Sequence, residues 1–330
     1  MKKLYILILI AAAAFFNMSC EESVNPKAEF KEQYVLSCIV DVSSDTVLAV
    51  ISKTYDVDGL NPEVNKVDPA LTGAEITITQ ATNTFKFQEG ERLRTDTSRY
   101  TSRQQYYYAA GVKFVDNKDL RITAKLPNGK VLSAVTTPPA IPEIKFSYEF
   151  PNGLNPTVNW YLAGDYYTAR WYPVNKNHFS FPRLTIPYKK NVDGKAVPLR
   201  KEVPLSYLKQ DGKFVPFYPG ATQSDSCSFE YKAISSALLN LPEGDPNLTD
   251  YILKYIDFEL LEFDSPLTTY YSSTNGQMDN FSIRTEETVY SNINGGLGIF
   301  GSYRKTRVRK QLDAYYIRTT LGFEWDKSGM

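Results

Sequence analysis

From residue 34 onward the apolar side chains recur every second position rather than every 3.6, and nothing else constrains the fold as strongly. Residues 33–40 and 46–52 are β-branched-rich runs separated by the polar stretch 41–45, a hairpin pattern. Gly73-Ala74-Glu75-Ile76-Thr77-Ile78-Thr79 alternates and puts Ala74, Ile76 and Ile78 on one face. Residues 106–114 read as another strand. Leu120, Ile122, Ala124 and Leu126 alternate up to Pro127-Asn128-Gly129, after which residues 131–135 return. An Asn-Gly pair between alternating runs signals a hairpin, because both residues tolerate positive φ. About seven short strands and no helix over about 110 residues predict a β-sandwich.

Pro138, Pro139 and Pro142 follow Thr136-Thr137 and hold an extended path without backbone donors. Residues 138–142 are therefore expected to link a β-sandwich domain over 28–137 to a second β-rich domain over 143–330. In that second part, residues 144–150, 159–162, 166–172 and 183–188 read as strands, with turns at Asn152-Gly153, Asp193-Gly194 and Asp211-Gly212. A short helix fits residues 231–239, stopped before Pro242. Ser265-Pro266 has the N-cap and first-turn chemistry of a second helix, with Leu267, Tyr270 and Tyr271 as its buried stripe. Residues 251–263 read as one strand whose alternation slips at Leu260-Leu261, as a β-bulge would produce. The expected fold class is mostly β: an immunoglobulin/transthyretin-like sandwich, then a β-rich domain with one or two short helices.

The N-terminus carries an address. Met1-Lys2-Lys3 is basic and residues 4–16 are apolar, the length of a signal-peptide core and too short for a span of roughly 20 residues. The run ends at Asn17-Met18-Ser19-Cys20, where a small residue before Cys resembles the bacterial lipobox. Asn17 stands where an aliphatic residue is usual. Residues 1–19 are read as a signal peptide cleaved between Ser19 and Cys20, and residues 20–27 as a tether lipidated at Cys20. Ordinary secretion with cleavage elsewhere is the bland alternative. Glu21 and Glu22 resemble the acidic signal that sends some lipoproteins to the cell surface. Cys38 lies in a strand pattern and Cys227 in a Ser-rich stretch, Ser224 to Ser228, that reads as a loop. A disulfide would have to join two domains, so a buried free thiol at Cys38 is preferred.

Charge and chemistry exclude several functions. The 330 residues hold 37 Lys+Arg against 37 Asp+Glu, a balance without the basic field that nucleic-acid binding uses. Loss of Lys2 and Lys3 with the leader leaves 35 basic against 37 acidic groups. Three Cys and one His offer little for a zinc or iron–sulfur centre, and no metal or cofactor is expected.

Several motifs have competing readings. Gly296-Leu297-Gly298-Ile299-Phe300-Gly301 spells the dinucleotide-binding pattern, but a basic, β-branched stretch follows instead of a helix. Glycines that let a strand pass close to a neighbour, with Ile299 and Phe300 in the core, explain it better. Asp257, Glu259, Glu262 and Asp264 could pair for glycoside hydrolysis, yet they alternate with apolar residues like a strand with one wet face. Asp56-Val57-Asp58-Gly59 begins like a Ca²⁺ loop and lacks the closing Glu. His178 has no G-x-S-x-G nucleophile to serve and reads as incidental. Tyr106-Tyr107-Tyr108, Tyr166-Tyr167, Tyr270-Tyr271 and Tyr315-Tyr316 suit core filling more than ligand binding. Residues 304–310 form a basic run, read as an edge strand whose charges discourage further pairing.

Ser291-Asn292-Ile293-Asn294-Gly295-Gly296-Leu297-Gly298-Ile299-Phe300-Gly301 resembles the late signature of the bacterial lipoprotein family called domain of unknown function 4249. The lipobox-like start, residues 34–40, Gly73-Ala74-Glu75-Ile76, the Asn128-Gly129 hairpin and Thr136-Thr137-Pro138 are similar to it too. Asn280-Phe281 stands where that family has Asn-Pro-Phe, and the chain runs further past Gly301. The resemblance supplies no catalytic residues. It implies an accessory lipoprotein of the outer membrane, partnered by a TonB-dependent receptor; a glycan or peptide as further ligand is what exposed tyrosines would suit. A secreted glycan-active hydrolase and an adhesive surface module are the alternatives.

Overall fold

Alternation in the sequence becomes strand in the fold. The computed structural model describes residues 29–59, 61–158, 164–172, 177–275 and 290–327. Ser19, Cys20, the rest of the leader and tether, Trp160 and Asn280-Phe281 lie outside the described residues. The first half contributes β1 (Tyr34–Asp41), β2 (Thr46–Lys53), β3 (Glu75–Gln80), β4 (Asn83–Lys86), β5 (Gln88–Arg92), β6 (Gln104–Ala110), β7 (Leu120–Lys125) and β8 (Val131–Thr136). The expected β1–β2 hairpin forms, pairing Tyr34 with Lys53 through Cys38 with Ala49. One sheet runs β4-β3-β7-β8, and β1, β2, β6 and β5 lie together in another. Leu36, Ile51, Ile78, Leu120 and Ile122 belong to the buried core that both sheets supply, which makes this half a sandwich.

The expected hairpin forms between β7 and β8, pairing Leu120 with Thr136 through Lys125 with Val131. Gly129 takes φ +84° while Asn128 stays out of the left-handed region, and the Leu126 N–H donates to the Lys130 carbonyl. Asn128 Oδ1 instead accepts from the Lys130 N–H at 3.1 Å. Glycine alone supplies the positive φ, as in three-residue hairpins.

The second half contributes β9 (Glu143–Phe146), β10 (Tyr166–Tyr172), β11 (Ser180–Val192), β12 (Lys195–Val203), β13 (Ser206–Gln210), β14 (Lys213–Phe217) and β15 (Ser226–Glu230). Helix α1 (Tyr231–Leu239) has the predicted bounds, followed by β16 (Tyr251–Leu253), β17 (Tyr255–Phe263), α2 (Ser265–Asn275), β18 (Leu297–Gln311) and β19 (Glu324–Trp325). Trp171, Phe229, Tyr231, Phe258 and Tyr316 centre a second core. The cap of α2 is Asp264 rather than Ser265: its Oδ1 accepts from the Leu267 N–H at 2.8 Å. Cys227 lies on strand β15 rather than in a loop, and Cys38 and Cys227 are both free thiols.

Residues 251–263 are two strands broken at Lys254, and β17 has no bulge. It pairs with β18 one to one, from Tyr255 with Gln311 to Phe263 with Tyr303. Both faces of β17 are covered, so apolar residues appear in both phases of the pleat. Pro138, Pro139 and Pro142 are buried rather than spanning open solvent. A single ten-stranded sheet crosses from one half to the other in the order β19-β16-β11-β17-β18-β1-β2-β6-β5, with β12 on the flank of β11. The residues 304–310 are an open edge as predicted: among the described residues only β17 pairs with this part of β18. The first half of β18 pairs in parallel with β1, Val35 with Leu297 through Asp41 with Tyr303.

Candidate functional site

The glycine signature is a strand-packing device. A Cβ on Gly298, whose φ is +115°, would sit 2.1 Å from the Leu36 carbonyl oxygen, and one on Gly296 would sit 2.4 Å from that of Tyr34. Only glycine lets β18 run against β1 there. Phe300 is fully buried and Ile299 nearly so, as the sequence predicted. Asn292 grips Phe300 twice: its Nδ2 donates to the Phe300 carbonyl at 2.7 Å, and its Oδ1 accepts from the Phe300 N–H at 2.9 Å. Asn294 pairs backbone to backbone with Ser133 on β8. The glycines run into strand β18 rather than into a helix, so the setting that a dinucleotide-binding pattern needs is not formed here.

The four carboxylates are not on a wet face. Asp257 is completely buried, and Arg309 grips it with both forks, Nε to Oδ1 at 2.7 Å and Nη2 to Oδ2 at 2.8 Å. Glu259 is held by Arg307, 2.7 Å from Nε, and by Arg200 at 3.0 Å. Burial alone would raise the Glu259 carboxyl, but bonding to Arg200 and the charges of Arg200, Arg307 and Lys305 hold it below its ordinary value. Opposite charges at period two on neighbouring strands thus form a ladder across β12, β17 and β18. Alternating acids at 257 and 259 and alternating bases at 305, 307 and 309 were the signal for it in the sequence. Arginine donors occupy both carboxylates, which argues against glycoside hydrolysis at this pair.

The other two differ. Asp264 has no exposed surface, and its Oδ2 accepts from the Ser302 N–H, from the Ser302 hydroxyl at 2.7 Å and from the Thr136 hydroxyl. Burial pushes it up against these hydrogen bonds, which favour its charged form. It joins β8, α2 and β18 at one point. Glu262 is buried with its Oε2 unbonded, and burial raises it to about 7 against the opposing charge of Arg304.

The remaining candidates fall apart as sites. His178 Nε2 lies 2.9 Å from the Ser265 hydroxyl, and burial lowers its pKa. Asp56 Oδ1 accepts from the Val57 N–H, and among the described residues no three His, Cys, Asp or Glu side chains converge as a metal would require. Tyr167 is buried while Tyr166 is half exposed, as expected of strand neighbours. Tyr316 is buried and Tyr315 exposed, but Tyr316 starts a helical turn rather than sitting on a strand.

A family model described as a domain of unknown function (DUF4249) matches residues 21–309. The chain belongs to that family. The match covers the glycine signature, the Asp264 node and the ladder as far as Arg309. Beyond it, Tyr316, Ile317, Leu321, Phe323 and Trp325 pack into the second core. The stretch past Gly301 thus continues β18 and closes that core. No curated protein and no solved structure matches the chain significantly.

Proposed function

We propose that this member of the family is a non-enzymatic outer-membrane lipoprotein, cleaved between Ser19 and Cys20, acylated on Cys20, and partnered by a TonB-dependent receptor. The observation that carries the reading is the apolar run over residues 4–16 ending at Ser19-Cys20. The family match begins at residue 21, one residue after Cys20, which is consistent with a mature chain that starts at Cys20. Two or three acyl chains hold a protein on a bilayer where one chain is marginal. Against the hydrolase alternative stands the arginine clamp on Asp257 and Glu259. In favour of a partner stands the β13–β14 hairpin, a sheet of two strands that exposes Leu208, Phe214, Val215 and Phe217. A glycan or peptide cargo and a purely adhesive role remain readings of the same surface.

Cell fractionation tests the anchor. The native chain should sediment with envelope membranes after a high-salt wash and co-purify with a TonB-dependent receptor in mild detergent. Cys20→Ala should move it to the soluble fraction. No fatty acid on Cys20 by mass spectrometry overturns the anchor, and recovery of the lipoprotein alone overturns the partnership.

A further inference from the structure

The break between β16 and β17 opens a cleft of about 840 Å³ against β11, β12 and β18. Lys254 sits in that break and lines the cleft, only 7% exposed. Its Nζ lies 5.3 Å from the Tyr255 ring centroid and 5.8 Å from that of Trp325. The rings receive its charge by their faces, but its three N–H donors meet no acceptor among the described residues. A lysine this buried without a carboxylate is unusual, and the cleft is where an acceptor would enter.

The other lining cations are already matched. Lys189 bonds Asp326 at 2.9 Å, while Arg200 and Arg309 share Asp257. Lys254 is thus the lining cation whose charge no carboxylate meets among the described residues, and one uncompensated charge suits a monoanion. Arg200 keeps 40% of its side chain exposed at the same cleft, so part of its guanidinium can turn to a second acceptor. Pro198, Leu199 and Ile252 supply apolar wall beside the Tyr255 ring. A phosphate would leave that wall unused.

We propose that the cleft binds the carboxylate end of an apolar organic acid, with Lys254 and Arg200 on the carboxylate and Leu199 and Tyr255 against the body. The acid can be a free small molecule or the C-terminus of a peptide, since both present the same group. Calorimetry on the full chain in mild detergent tests this with 3-phenylpropionate, its neutral amide, inorganic phosphate, and Ala-Ala-Phe with a free or amidated terminus. The expected affinity for 3-phenylpropionate is about 0.1 to 1 mM, and the amide should bind at least about tenfold more weakly. Lys254→Met should lose binding by at least about tenfold with an unchanged or raised melting temperature, because it removes a buried charge. Leu199→Asp, on the rim and away from the core, should lose binding to the same degree and covers the case that Lys254→Met fails to fold. Binding of the free tripeptide points to a peptide terminus, and its failure beside tight 3-phenylpropionate points to a small acid; either supports the proposal. No saturable binding of 3-phenylpropionate, equal binding by the Lys254→Met protein, or phosphate binding as tight as the acid overturns it.

Discussion

Glu262 and Glu259 lie three residues apart on β17 and both are buried, yet they shift in opposite directions, because only Glu259 is hydrogen-bonded by arginines. Burial lifts Glu262 to about 7 from an ordinary 4.5. A raised carboxyl binds its proton more tightly folded than unfolded, so its stabilisation is full below about 4.5 and lost as pH climbs through about 7. Above that pH the chain carries a buried charge with Arg304 as the opposing cation. Arg304 is itself engaged by the Pro139 carbonyl at 2.9 Å and by Asp116. Glu262→Gln should therefore stabilise the protein at pH 8 by on the order of 2 to 3 kcal/mol and change little at pH 4, read from urea midpoints across that range. An equal shift at both pH values would mean that Glu262 does not titrate as described. In the sequence these carboxylates were indistinguishable: their alternation with apolar residues was legible, their partners were not. Arg307 and Arg309 stand 48 and 52 residues from the acids they clamp, and no local pattern spans that distance.

At the scale of the element, β18 joins a half paired on both sides to a basic half paired on one. The basic run leaves one flank open, as its charges signal, and on the other flank β17 supplies Asp257 and Glu259 at the same period. The glycines just before it were legible as a close-approach device, because no nucleotide-binding context surrounded them. Their cost can be measured. Gly298→Ala forces a Cβ into the Leu36 carbonyl at a positive φ, and the expected loss is at least about 3 kcal/mol, since backbone must move. Gly59→Ala is the control: its φ is +82° but nothing lies within 4 Å of the added Cβ. That change should cost about 1 to 2 kcal/mol, the left-handed backbone penalty alone. Chemical denaturation of both variants separates contact from conformation. Comparable losses would show that β18 does not press on β1 as described.

Across the whole molecule, the sandwich and the second half were legible as two β-rich stretches, but their joining was not. The prolines at 138, 139 and 142 look like a spacer in sequence, yet the sheet is closed by residues far beyond them. Val35 pairs with Leu297 and Asp41 with Tyr303, and parallel neighbours so distant in the chain leave no periodic trace. Phe300 and Ile293 fill the first core, so residues 29–142 alone would lack part of their own interior. They would also expose the edge of β1 that β18 covers, an invitation to aggregate. Thr136 at the end of β8 would lose the Asp264 carboxylate, and Asp264 would lose one of its donors in the other piece. A fragment of residues 29–142 should therefore fail to give a cooperative melt or a monomeric peak in light scattering, whereas the full chain melts in one transition. Pairing that closes so late in the chain also carries a large loop-closure entropy, so refolding should be slow for the size of the protein. A fragment that folds and stays monomeric would mean that the β1–β18 pairing contributes little, and that the two halves are independent domains.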